Sequence, residues 1–431
     1  MEAIILAAGK GTRLNPITNK LPKALIPIGG KPILFHILDN LKNHVNKVII
    51  VIGYEGTQIR SKVEELDFPL EIEWVTQKEQ LGSGHAVQLC QDLVNSNMFF
   101  MFYGDIFVTS REILTFLEES VKNAPKTGTF AAAKVPNPEI YGCLESKNNR
   151  LVKIHEKSSS PISNTINAGI MTLPKTIFDL YPEIQVSPRG EIELTDVVNM
   201  AILKGFDFLL FLIKEHWTDI GYPWHILEAN EVSMKELLPR TRDSRFNGAY
   251  IEGPVEIKSN VDIKPGVYIQ GPVFIDENAS IGPNCYIRPY SYIGKYVKIG
   301  NAVEIKNSII LDNTAIGHLT YIGDSVIGRN CNFGAGTKVA NLKLEKNEIN
   351  MNIKGERLPT GRRKLGIIMG DGVSTGVNVS LMPGIILGEK SQIGAHTLVN
   401  TDVPANTIYF HDTKRGLIIK NLGKSRNDKK F

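Results

Sequence analysis

Residues 6–23 read LAAGKGTRLNPITNKLPK. The apolar run Ala3-Ile4-Ile5-Leu6-Ala7 that leads into this stretch has the length and composition of a buried strand. Gly9 and Gly11 then let the backbone turn tightly and approach a ligand, since neither carries a Cβ. Successive N–H groups in such a loop form a concavity that takes phosphate oxygens without help from a side chain. Arg13 and Lys23 add two cations beside it, and Pro16 and Pro22 stiffen the connection. The loop is not the dinucleotide fingerprint, because the third glycine is missing, and no Gly-Lys-Ser/Thr closes it as a Walker loop. Taken by itself the loop reads as a phosphate site in preference to a plain strand-to-helix turn.

The totals bound the rest. At 431 residues the chain has room for two or three domains with buried cores. Acids and bases are mixed, with a net charge of +4, which gives no footprint for a nucleic-acid partner. Cys90, Cys143, Cys285 and Cys331 are far apart and match no zinc or redox spacing, so free thiols in a reducing compartment are expected. No apolar run approaches the length of about 18 residues that a membrane span needs, and no signal peptide opens the chain. These features predict a soluble, cytoplasmic protein without a membrane partner.

From residue 1 to 229 apolar strands (47–52, 70–75 and 98–103) alternate with helical spacing at 31–44, 55–66, 84–95 and 110–121. That alternation predicts an α/β domain, Rossmann-like, with a mainly parallel sheet covered on both faces. Ligands collect at the carboxyl ends of such strands, so the polar residues there matter most. With PKALIPIGGKPIL (22–34) after it, the opening string closely resembles the signature of the sugar-1-phosphate nucleotidylyltransferases. The resemblance implies nucleotide contacts at Leu6, Ala8, Gly9, Gly11 and Thr12, with Arg13 and Lys23 as the catalytic cations.

The string Gln77-Lys78-Glu79-Gln80-Leu81-Gly82-Ser83-Gly84 reads either as a helix start capped by Ser83 or as a pocket for a pyrimidine edge. It resembles the uridine-reading loop of N-acetylglucosamine-1-phosphate uridylyltransferases, which assigns Gln77, Gln80, Leu81, Gly82 and Ser83 to base and ribose. An Asp after a glycine at a strand end, as in Tyr103-Gly104-Asp105, suits a loop cap or a magnesium ion that keeps most of its waters. The family makes Asp105 a magnesium ligand and Asp219, in His216-Trp217-Thr218-Asp219-Ile220-Gly221, the second. By the same resemblance Tyr103, Gly142, Glu156, Lys157 and Asn167 contact the sugar phosphate. Glu193, in Gly190-Glu191-Ile192-Glu193, fits a sugar contact or a helix start equally well.

A linker is expected at 230–248, and beyond it the period changes. Aliphatic residues recur every six positions, as at Val255, Val261, Val267, Val273, then Ile281, Ile287, Ile293, Ile299 and Ile305. The beat returns at Ile316, Ile322, Ile327 and Phe333, and again from Met369 to Val399. This marks a parallel β-helix over 249–410, with loops expected to leave it at the slips 273–281, 305–316 and 322–327. Residues 411–431 are expected to form a C-terminal tail, of which KSRNDKKF (424–431) is polar and charged enough to fray. The charged insertion 342–366, with Gly361-Arg362-Arg363-Lys364, reads as a solvated hairpin or as a loop reaching over a site.

The repeats resemble the hexapeptide-repeat acyltransferases, which implies a left-handed coil and a homotrimer. Residues 304–341 resemble the acetyltransferase segment of the bifunctional glucosamine-1-phosphate acetyltransferase/uridylyltransferases. That likeness puts the general base at His318 and acceptor contacts at Arg288, Lys306, Tyr321, Asn332 and Asn341. The bacterial Asn-Tyr-Asp-Gly is absent after Asn341, and Lys343 and Lys346 offer substitute cations, a combination similar to the archaeal-type enzymes. The resemblance implies UTP or dTTP, a hexose-1-phosphate or amino-sugar-1-phosphate, Mg2+ and acetyl-CoA as partners. Two alternatives stand beside it: a monofunctional glucose-1-phosphate thymidylyl- or uridylyltransferase whose β-helix serves assembly or regulation, and a non-catalytic regulatory subunit.

Overall fold

The computed structural model describes residues 1–66, 68–123, 127–236, 246–412 and 414–422. Its contacts divide the chain into two units. The first comprises Met1–Gly11, Leu21–Ile26 and Lys31–Ile220, and the second Thr12–Lys20, Pro27–Gly30 and Gly221–Phe431.

The first unit is built on a nine-stranded sheet. Its strands are β1 (Glu2–Ala7), β2 (Lys47–Ile52), β3 (Glu71–Thr76) and β4 (Met98–Tyr103), then β6 (Gly128–Lys134), β7 (Gly142–Lys147), β8 (Arg150–Glu156), β9 (Thr165–Pro174) and β10 (Phe208–Leu212). A separate pair is formed by β5 (Ile106–Val108) and β11 (Trp217–Asp219). The spatial order is β3-β2-β1-β4-β9-β6-β10-β8-β7. Only β3-β2-β1-β4 and the pair β6-β10 are parallel; β9 runs antiparallel to both neighbours, as β8 does. The expected mainly parallel sheet is therefore mixed. The hairpin turn at Asn148–Asn149, both in the left-handed region that asparagine tolerates, lets β7 and β8 pair directly without a crossover helix. Helices α1 (Ile33–Leu41), α2 (Gly56–Glu64), α3 (Ser83–Gln88), α4 (Ser110–Asn123) and α5 (Leu194–Leu203) complete this unit. Two apolar cores, one containing Ile5, Val48 and Phe100 and the other Ile4, Val51 and Phe99, use alternate residues of the same strands.

The second unit carries three sheets of eight, seven and nine strands, parallel except for the last pair of the nine-stranded one, with most strands two or three residues long, and the chain visits them in rotation. Each residue pairs with one about eighteen positions on, as Tyr268 with Tyr286 and Tyr286 with Glu304. Identical ladder positions stack into apolar columns: Ile257, Ile275, Ile293, Ile310, Ile327, Met369 and Leu387 in one sheet. Ile269, Ile287, Ile305 and Ile322 stack in another. A large-to-small change in such a column leaves a void that its neighbours cannot fill. Ile305→Ala, at a fully buried rung, is expected to cost about 2–5 kcal/mol, read by equilibrium urea unfolding.

Five expectations about this half need correction. No loop leaves at 273–281: the buried ladder there is Ile263, Ile269, Ile275, Ile281, and the valines of the expected beat lie two residues earlier on the same strands or turns. The other two slips are corners shortened by one residue, so that Glu304 pairs with Tyr321 and Ile309 with Val326, seventeen on. Finally, part of the expected linker is helix α6 (Pro223–Met234), and the expected tail begins inside an antiparallel hairpin of Thr407–Asp412 with Gly416–Asn421. Buried Leu227, Ala229 and Met234 hold the former in place, and buried Tyr409 the latter. Residues 237–245 of that linker, and residues 413 and 423–431, lie outside the described residues.

The insertion is a hairpin, Asn350–Ile353 with Glu356–Pro359, and it is not solvated throughout. Ile349, Met351 and Ile353 are buried, and its ends close where Leu365 N–H donates to the Asn341 carbonyl at 3.0 Å. Lys343 points its ammonium at the Glu348 carbonyl, 3.0 Å away within the insertion.

Candidate active sites

In the first unit, two acidic residues 114 positions apart meet because of strand register. Antiparallel pairing of β5 with β11 sets Asp219 opposite Ile106, the neighbour of Asp105, and Ile220 N–H donates to the Asp105 carbonyl. Lys23 lies buried between them, its Nζ 2.6 Å from Asp105 Oδ2 and 3.6 Å from Asp219 Oδ1. Gly104 permits the approach: a Cβ there would stand 2.8 Å from the Leu6 carbonyl oxygen, to which Gly104 N–H donates. Among the described residues no cluster of three or more His, Cys, Asp or Glu is placed to hold a metal. The ion-pair triad is the concentrated charge of this unit's strand ends.

Beside it, Gln80 Nε2 donates to the Ala8 carbonyl, tying the 77–84 loop to the end of β1. Gln77 is buried and spends its amide nitrogen on the Gly82 carbonyl at 3.0 Å, so it braces the loop from within. Gly82, at φ +101°, could not carry a Cβ, which would stand 2.5 Å from the Ile192 carbonyl oxygen. Ser83 does not cap its own helix; its Oγ accepts the Leu194 N–H and so caps α5 instead. Gly9 has open space where a Cβ would point, and Gly11 is left-handed at φ +61°. Thr12 and Arg13 belong to the second unit, where the Arg13 guanidinium lies 4.9 Å from the Tyr222 ring centre.

Further along the sheet, a bulge in β9 between Asn167 and Met171 bends the strand, and Asn167 Oδ1 accepts the Gly169 N–H. The Tyr103 ring fills the place a Gly169 side chain would need. Burial raises the Tyr103 hydroxyl above its usual titration range, so it is a neutral donor. Glu156 faces Gly142 across the β7–β8 ladder, and burial raises its carboxyl in spite of nearby Lys157 and Arg189. Lys157 is exposed and left-handed at φ +44°. Arg189, which no sequence motif marked, bridges Glu193 at 2.6 Å and Glu156 at 3.6 Å. Glu193 stands at the N-cap of α5 without a capping bond, so the arginine claims its carboxylate.

In the second unit the expected residues fall on two corners of the eight-stranded sheet. His318 and Leu319 form an exposed turn entering it, stacked on Asn301 below and Gly336 above. The His318 ring makes no hydrogen bond among the described residues. Asn332 is exposed on a neighbouring sheet. Tyr321, at the start of the next strand, accepts a hydrogen bond from Asn341 Nδ2 at 3.2 Å. At the far corner, Arg288 pairs with Glu304 at 2.8 Å, and Lys306 with buried Asp324 at 3.4 Å. Asn341 Nδ2 also donates to Asp324. Asp324 had no motif to announce it; its signal is the one-residue shortening of its corner.

Residues 2–236 match the profile of the nucleotidyl transferase family, and residues 269–409 that of the GMPPB C-terminal domain. A "Bifunctional protein GlmU" of Methanococcus vannielii is 40% identical over 431 residues, covering 97% of this chain and 99% of the relative. Another, from Methanococcus maripaludis strain C7, is 44% identical, covering 95% and 97%. A "Bifunctional sugar-1-phosphate nucleotidylyltransferase/acetyltransferase" of Sulfurisphaera tokodaii is 38% identical, covering 94% and 98%. A crystal structure of a Bacillus anthracis protein assigned as a glucose-1-phosphate thymidylyltransferase, in complex with sucrose, is similar at a TM-score of 0.50. It shares 28% identity and covers 56% of this chain and 98% of its own. The chain belongs to the nucleotidyl transferase family, and within it to the bifunctional GlmU group of archaeal sugar-1-phosphate nucleotidylyltransferase/acetyltransferases.

Proposed function

We propose that the chain makes a nucleotide sugar in two steps: N-acetylation of glucosamine-1-phosphate by acetyl-CoA, then uridylyl or thymidylyl transfer from UTP or dTTP, releasing pyrophosphate. The observation that carries this reading is the convergence of Lys23, Asp105 and Asp219 at the strand ends. Two hard carboxylates gathered round one cation suit magnesium, which takes one or two carboxylates and fills its shell with water and phosphate oxygens. Asp105 and Asp219 would hold that ion, which supplies positive charge for the phosphates when bound.

The chain's own residues account for the rest. A sugar phosphate oxygen is already an anionic nucleophile, so its attack on the α-phosphorus needs no base; one P–O bond forms as the bond to the leaving pyrophosphate breaks. Lys23 and Arg13 offset the charge that gathers, and the open side of Gly9 leaves the triphosphate room to approach the loop. Leu6, Ala8 and Thr12 border that loop. Gln80, Leu81, Gly82 and Ser83, held in shape by Gln77, take base and ribose. Tyr103, Gly142, Glu156 and Asn167 take the sugar, and Lys157 its phosphate.

In the second unit, read as a left-handed β-helix, His318 removes a proton from the acceptor amine as nitrogen attacks the thioester carbonyl. The C–S bond then breaks and coenzyme A leaves as the thiol. Arg288, Lys306, Tyr321, Asn332 and Asn341 orient the acceptor. Leu319 is exposed beside His318, an apolar side chain that a second copy would cover. A homotrimer that completes the site there is expected by light scattering; a monomer at all concentrations that still acetylates would overturn it. The four buried free thiols suit a reducing, cytoplasmic setting.

The test is a panel of UTP and dTTP against glucose-, glucosamine- and N-acetylglucosamine-1-phosphate, following pyrophosphate, beside a coenzyme A release assay. Absence of pyrophosphate from every pair would remove the first activity, and absence of thiol from every amino sugar the second.

A further inference from the structure

The two side-chain cations assigned to the triphosphate belong to different units. Lys23 falls in the first, within Leu21–Ile26, and Arg13 in the second, within Thr12–Lys20. The short segment 12–20 is therefore packed with the repeat half. Leu14, Ile17 and Thr18 are buried there, while Arg13 beside them is exposed.

Two stacked turns of the seven-stranded sheet hold the far end of the segment. Gly370 follows the strand Ile368–Met369, and a Cβ on it would stand 2.8 Å from Pro16 Cβ. On the next rung Glu389 follows Ile386–Leu387, and its carboxylate accepts from Asn19 Nδ2.

The near end is held through the arginine itself. Its guanidinium lies 4.9 Å from the centre of the Tyr222 ring and makes no hydrogen bond or ion pair among the described residues. Tyr222 stands at the N-cap of α6, and its ring stacks on buried Trp224, with centroids 4.7 Å apart and planes 3° from parallel. Helix α6 is tied to the repeats in turn. Fully buried Asn230 donates to the Tyr290 carbonyl at 2.9 Å and accepts the Gly29 N–H at 2.9 Å. A ring fixed in this way offers the cation one preferred seat on its π face. An exposed arginine without such a seat samples many rotamers, and ordering them on a phosphate costs entropy that binding must offset.

We propose that the repeat half positions Arg13 for nucleotidyl transfer, Tyr222 aiming its guanidinium and Glu389 anchoring the segment that carries it. The proposal rests on the nucleotidyl-transfer reading. Both are positioning residues that act through Arg13, so the first activity depends on side chains of the half that carries the second.

The test is a double-mutant cycle in the full chain. Tyr222→Leu, Tyr222→Phe, Glu389→Ala and Glu389→Gln are made in the wild type and in Arg13→Ala, and kcat and KM for pyrophosphate release are measured on the most active substrate pair. Tyr222→Leu is expected to lower kcat/KM roughly 5–50-fold and Glu389→Ala roughly 3–10-fold. Phenylalanine keeps the ring and glutamine keeps an acceptor for Asn19, so both should stay within about twofold. In Arg13→Ala neither loss should appear. Equal losses in both backgrounds would overturn the proposal, because a residue that only supported α6, or that acted through Asp219, would cost as much without Arg13. No loss in the wild type would overturn it too. Calorimetric titration of UTP and dTTP reads the same cycle without turnover. If the wild type binds a triphosphate and releases no pyrophosphate, the nucleotidyl-transfer reading falls alone. Binding weakened by Tyr222→Leu, and not weakened further in Arg13→Ala, would then uphold the positioning, and unchanged binding would sink it. A wild type that neither binds nor turns over would overturn both.

Discussion

Asp105→Ala is expected to abolish metal-dependent pyrophosphate release and leave acetyl transfer at its wild-type rate. The substitution removes the carboxylate nearest Lys23 and half of the pair proposed to hold magnesium, so both the ion and the ammonium lose their anchor. Lys23→Ala should be milder, a loss of roughly 10²–10³ in rate, the scale for deleting one donor that stabilises developing charge. The order of the two effects is itself informative. If Lys23→Ala is the more damaging and Asp105→Ala turns over normally with magnesium, the carboxylate only positions the lysine, and the metal assignment falls. Initial rates of pyrophosphate release across a magnesium series would decide it.

The second large effect is expected at His318. The amine of glucosamine-1-phosphate is mostly protonated near neutral pH and must lose a proton to attack a thioester. Imidazole is the side chain whose ordinary titration range suits that task. A general base contributes about 10²–10⁴, so His318→Ala should lose that much acetyl transfer, with pyrophosphate release unaffected. The ring stands in an exposed turn without a hydrogen-bond partner among the described residues, so its removal should not disturb the stack, and unfolding of the variant should follow the wild type. Side-by-side thiol release at saturating acetyl-CoA is the measurement. Equal rates would leave the turn as surface.

How much of this was legible in the residues differs between the halves. The strands 47–52 and 98–103 match the structure residue for residue, because six-residue apolar runs rich in β-branched or aromatic side chains suit a strand buried on both faces and are too short for a helix. The antiparallel strands could not be read so: 142–156 has only the short apolar pairs Cys143-Leu144 and Leu151-Val152 on either side of a polar run, and its pairing depends on a turn of two left-handed asparagines. Convergence of Asp105 with Asp219 was reachable only through family likeness, since nothing local sets the β5–β11 register. In the repeats the period of six was plain, but its phase was not. Valines and isoleucines two apart are both buried in the first rungs, as at Val255 and Ile257, so either set could carry the beat. Asn307 and Asp324 belong to no motif, and only the slips in the period at 305–316 and 322–327 marked the shortened corners on which they sit.

The corner that bears the hairpin shows how this architecture keeps count. Val326 pairs with Ile368, and Lys338 with Ser380, as though the residues of the insertion were absent, while ordinary rungs advance by seventeen or eighteen. Both mouths of the insertion sit on one hydrogen bond, from Leu365 to Asn341, so closing it costs only the slowly growing entropy of a loop. Length can therefore be gained or lost at a corner without propagating along the ladder, much as a bead added to a side chain of a necklace leaves its clasp in place. A lineage could acquire or discard the hairpin in one genetic event and keep the register of every rung, losing only the apolar contacts of Ile349, Met351 and Ile353.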